Sequence, residues 1–180
     1  QALWPDTPPR SNVYATDSEW YAIVKAGAER KMFGEVSLKE VFCDHHGVPV
    51  LNGAMGVDKW KEIDGEQTHL LRFICIFCPI NAYMRKLRGD SDLLPFLPQM
   101  NMLSLEGDEI LMVDSEDMLS CFNLFVMPES WKGYFAFSKP VSRAAFGGAP
   151  HELTYAYMRA VPMGGIGAVD VMQAMARKLV

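Results

Sequence analysis

The chain has 180 residues, enough for one domain with a substantial core, and 49% of them are apolar. A net charge of −5 weighs against a protein that lives on phosphate contacts, since such contacts come chiefly from Lys and Arg. No apolar run reaches membrane-spanning length, and the polar, proline-rich opening QALWPDTPPR does not read as a secretory signal. That opening has no initiating Met, so a fragment is expected. Four cysteines and 12 methionines with no signal suit a reducing compartment, and cytoplasm or nucleus is the expected location.

In chain order, Thr16 followed three residues on by Glu19 is a capping box, which predicts a helix over TDSEWYAIVKAGAERKMF. Ser37 and Glu40 repeat the pattern at SLKEVF. Gly47, Pro49 and Gly53 then break the chain into a loop and short extended pieces around VPVLNGAMGV. Within WKEIDGEQTHLLRFICIF, Asp64-Gly65 is a tight-turn signal between two segments able to pair as a hairpin, with Arg72 at the start of the second strand. MNMLSLEGDEILMVDS reads as a short helix, a turn at Gly107 and an apolar strand running toward Asp117. The region from YFAF to MGGIG carries aromatic and β-branched segments interrupted by Gly and Pro, and GAVDVMQAMARKLV closes as an amphipathic helix.

Charge is unevenly distributed. Lys59, Lys61, Arg72, Arg85, Lys86 and Arg88 lie close together in sequence, whereas Asp90 to Asp117 holds Asp90, Asp92, Glu106, Asp108, Glu109, Asp114, Glu116 and Asp117 with no basic residue. One region could hold anions and the next cations, although solvated faces are the commoner fate of such runs. Magnesium and manganese take hard oxygen ligands, and a carboxylate at the end of a strand is suited to presenting one. A zinc site is a weaker reading. CDHH and CIFC place Cys43, His45, His46, Cys75 and Cys78 at ligand-like spacing, but RFICIFCPI reads as a strand, on which positions three apart face opposite ways. Cys121, among apolar neighbours, reads as a buried inert thiol.

DMLSCFNLFVMPESWKGYFAF resembles the first catalytic motif of reverse transcriptases, where a metal-binding Asp is followed at the fifth position by an aromatic residue. Three further segments fall in that family's order. GVDKW resembles the fingers strand with its Lys, LRFICIFCPIN its Arg, apolar strand and Asn, and AVPMGGIGAVDVMQ its Pro-x-Gly loop leading into a helix with Gln.

The resemblance implies an α+β polymerase right hand with an antiparallel sheet and packed helices. Residues 1–49 would be an N-terminal helical segment packing on the fingers, and residues 50–180 the fingers and partial palm, ending before the family's third motif. It implies an RNA-directed DNA polymerase of retroelement type in the parent protein, this fragment alone being inactive. Asp117 would be catalytic and would ligate Mg2+ or Mn2+ together with the Met118 carbonyl. Phe122 would lie under the sugar as a steric gate, a core position being the alternative. Arg72 and Lys59, with Lys61 as a rival, would reach the triphosphate. Met163 and Gly164 would face the nucleotide, and Gly165 and Gln173 the template. The partners implied are an RNA or DNA template-primer and deoxynucleoside triphosphates. A catalytically inactive remnant or nucleic-acid-binding domain, and an unrelated α+β interaction module, are the other readings.

Overall fold

The computed structural model describes residues 5–86, 104–112 and 121–179. Over these the fold is mixed α+β, with antiparallel sheets and few helices. Helix α1 (Asp17–Glu29) starts at the expected capping box, the Glu19 N–H donating to Thr16 Oγ1 and the Thr16 N–H to Glu19 Oε2. It ends at Glu29, short of the Phe33 that the sequence predicts. Lys31 takes φ 60°, the chain reverses, and Phe33 opens strand β1 (Phe33–Val36) instead. The reason is close packing: a Cβ on Gly27 would stand 2.4 Å from Phe33 Cδ2, so glycine lets the strand leave along the helix it follows.

Strands β4 (Ala136–Ser142) and β5 (Leu153–Met158) complete an antiparallel sheet of order β1-β5-β4, in which Phe33 pairs with Met158 and Val36 with Tyr155. Alternation along β5 sends Ala156 and Met158 into the main core and Tyr157 into a smaller cluster with Val36, Val41 and Ala136. Phe137 is the hub of the main core. Its ring lies 5.4 Å from Trp20 of α1, 5.6 Å from Phe33, 6.0 Å from Phe73 and 6.2 Å from Phe77.

The predicted hairpin is β2 (Gly53–Ile63) and β3 (Glu66–Ile76), joined by Asp64 and Gly65 with φ 54° and 84°. Both central residues of a type I′ turn need positive φ, which Asp and Gly tolerate. Because that two-residue turn locks pairing from Ile63 and Glu66 onward, Arg72 sits well along β3 opposite Val57, and not at the strand's start as expected. The root is tied to the body: the wholly buried Asn52 donates its amide to the Tyr134 and Ala136 carbonyls at 2.9 and 3.0 Å, and Val13 bridges Ala54.

Two further expectations are corrected. Cys78 is not on the strand: β3 stops at Ile76, and Pro79 suits the first turn of the short helix α2 (Cys78–Asn81), where its missing N–H costs nothing. Past the Gly107–Asp108 turn, residues 109–112 form no strand, and Ile110 and Met112 are exposed. An apolar run becomes a strand only where neighbouring backbone takes up its N–H and C=O groups, and none of the described residues does so here. The chain closes as expected in helix α3 (Ala168–Leu179). Among the described residues no helix is long and apolar enough to cross a membrane.

Candidate functional site

After β5 the chain runs antiparallel to the segment that follows the acidic cluster. The Met127 N–H donates to the Arg159 carbonyl at 2.8 Å, the Val161 N–H to that of Phe125 at 2.9 Å, and Val126 bridges Ala160. The Pro162–Gly167 loop comes next. Gly164 has φ 96°, a conformation that side chains with a Cβ rarely adopt, and the Gly165 N–H closes a turn onto the Pro162 carbonyl at 2.9 Å. A Cβ on Gly165 would come within 3.1 Å of Pro162 Cγ. Pro162 is buried while Met163 is exposed.

One side chain braces this loop. Asn81, the last residue of α2, donates its amide to the Gly164 carbonyl at 2.9 Å and accepts from the Ile166 N–H at 3.0 Å. The loop also lies against the end of β3, since a Cβ at Gly164 would be 3.8 Å from the Cys75 carbonyl oxygen and 4.0 Å from the Phe77 ring.

On the hairpin, register and alternation gather basic residues on one face, which Glu66, opposite Ile63, shares near the turn. Lys59, Lys61 and Arg72 share one face, with Lys59 opposite Leu70 and Arg72 opposite Val57, and all three are exposed. Asp58, Trp60 and Glu62 point the other way. There His69 Nε2 lies 2.8 Å from Asp58 Oδ1, and the Trp60 and His69 rings are 4.9 Å apart. The expected triphosphate residues thus occupy one surface, and Lys61 stands with Lys59.

Asp117 and Met118 lie outside the described residues, as do Asp114 and Glu116. Phe122 is in a 3-10 turn, Cys121–Leu124, half-buried and packed against the main core. Gln173 is half-buried on α3, and Cys121 is half-buried as well. Among the described residues no group of three or more His, Cys, Asp or Glu side chains is placed to hold a metal ion. Burial pushes the Cys75 thiol up to about 12, which disfavours the thiolate that metal binding or nucleophilic attack would need.

Compared with known proteins, the chain matches no family model and no curated sequence. The brace at Asn81 is the part of the site that the sequence did not single out. Its signals were present, an Asn closing the strand-helix segment and a Pro-x-Gly-Gly loop, but nothing in either segment indicates that they meet.

Proposed function

We propose that the chain is the fingers and partial palm of an RNA-directed DNA polymerase of retroelement type, which extends a primer on an RNA or DNA template using deoxynucleoside triphosphates. The observation that carries this reading is the Asn81 brace. It joins the segment that resembles the family's Arg, strand and Asn to the segment that resembles its Pro-x-Gly loop, across 83 positions. The stretch after the acidic cluster pairs with residues 159–161 and so runs into the same loop, which gathers three of the four resembling segments.

On this reading Arg72 and Lys59, aided by Lys61, take the triphosphate from the cationic hairpin face, the planar guanidinium of Arg72 being suited to bidentate phosphate contact. Met163 and Gly164 face the nucleotide, Gly165 and Gln173 the template, and Asn81 keeps the loop in place. Phe122 limits the space beside the sugar. Mg2+ or Mn2+ would be held by Asp117 with the Met118 carbonyl, and the described residues supply no ligand set of their own. When bound, such ions activate the primer 3′-hydroxyl and stabilise the leaving pyrophosphate.

The test is a titration of a labelled primer–template duplex at rising salt. The expected result is affinity falling steeply with salt, together with a loss of triphosphate affinity of roughly tenfold or more in Arg72→Ala. Binding indifferent to salt overturns the reading. Nucleotide incorporation by a form extended past Val180, abolished by Asp117→Asn, separates a polymerase from an inactive nucleic-acid-binding remnant. A second reading, an α+β interaction module, is favoured by one observation: Trp60 and Leu71 are 66% and 68% exposed on the hairpin face opposite the cations.

A further inference from the structure

A cavity of about 680 Å3 lies between residues 126–135 and the start of α3. Val126, Trp131, Phe135, Pro162, Ile166 and Val171 supply much of its wall, and Arg85 is the one charged side chain lining it among the described residues. Arg85 is exposed and has no ion pair among the described residues.

We propose that this cavity binds an amphipathic anion, an aromatic or apolar body carrying one carboxylate or sulfonate, with the anionic group on Arg85 and the body against Trp131 and Phe135. Three features argue for that occupant. The volume falls in the range of sites that enclose small molecules. The wall offers aromatic faces to a ring system and, among the described residues, no carboxylate to repel an anion. The guanidinium forms charge-assisted, bidentate hydrogen bonds with a carboxylate or sulfonate, which a neutral ligand cannot match. Pro162, Gly165 and Ile166 belong both to this wall and to the loop braced by Asn81, so an occupied cavity holds that loop in one conformation. Ligand binding at this cavity does not rest on the polymerase reading.

The test uses the full chain and two fluorescent probes of similar body, the anion 8-anilinonaphthalene-1-sulfonate and its neutral counterpart N-phenyl-1-naphthylamine. The expected result is one saturable site with the anion favoured by roughly tenfold, and near-equal affinities in Arg85→Met, which keeps the apolar stem but removes the charge. Val126→Asp, at an exposed wall position, should weaken the anion by a similar factor and spare the neutral probe. Unsaturable uptake of both probes alike, as an exposed interface for another protein would give, overturns the proposal. So does an unchanged preference in Arg85→Met. Failure of the duplex titration leaves these outcomes intact, and their failure leaves the duplex result intact.

Discussion

Asn81 and Gly164 stand 83 positions apart, and the side-chain amide of the first donates to the carbonyl of the second at 2.9 Å. The same amide accepts from the Ile166 N–H, so one short side chain serves a glycine turn in both directions. The backbone groups of such a turn have no helix or strand to pair with, and a fixed partner substitutes for one.

Removing both bonds in Asn81→Ala should cost about 1–2 kcal/mol in denaturant unfolding, since each net hydrogen bond contributes about 1 kcal/mol. Asn81→Asp keeps the acceptor and loses the donor. Amide exchange at Ile166 should therefore be fast in the Ala variant and remain slow in the Asp variant. Equal exchange in the two would mean that the loop is held by something else.

Gly164→Ala isolates backbone strain, because the added Cβ finds ordinary contact distances there while φ stays at 96°. A loss of about 1–2 kcal/mol is expected, with the hairpin and core unaffected in a residue-resolved exchange map. An unperturbed Gly164→Ala protein would show that the turn relaxes freely.

Phe137 is fully buried and touches rings from α1, β1, β3 and the root of α2, so Phe137→Ala should cost about 3–5 kcal/mol by thermal or chemical unfolding. Trp60→Ala, exposed on the hairpin, should stay within about 0.5 kcal/mol. Similar losses at the two positions would contradict the assigned core.

Glu40 gives a pH dependence with a definite sign. Lys132 Nζ lies 2.7 Å from its carboxylate and the Ser37 N–H also donates to it; these partners, Lys132 foremost, hold the carboxyl down to about 2 from an ordinary 4.5. A folded value below the unfolded one stabilises the fold above pH 4.5, and the benefit drains away as pH falls toward 2. Melting curves of Glu40→Gln should lie below wild type at pH 7 and converge with it at the acid end of that window. A gap that persists unchanged across it would remove Glu40 from the account.

Local chemistry was legible in the sequence and long-range pairing was not. Thr16 with Glu19 announces α1, Asp64-Gly65 announces the hairpin, and the 168–179 pattern announces its helix, because each signal and its partner lie within a few residues. Helix propensity continues past Glu29, while the pairing of Phe33 with Met158 that stops α1 comes from the far end of the chain. The residues around Arg72 do not by themselves show how far its strand extends, because strand length depends on the partner strand. Lys59, Lys61 and Arg72 fall on one face only once the register is known. The Asn81 brace needed both segments in space.

The hairpin has a mechanical consequence. The Phe73 ring packs on the core, so the free arm of the hairpin runs about 25 Å from the Gly56–Phe73 pair to Asp64, and pivoting it by about 10° would sweep Asp64 through about 4 Å. Lys59, less than halfway out, would travel less than half as far, and Arg72, beside the pivot, hardly at all. The two cations would then move together over the body of the protein, as on a hinged lever.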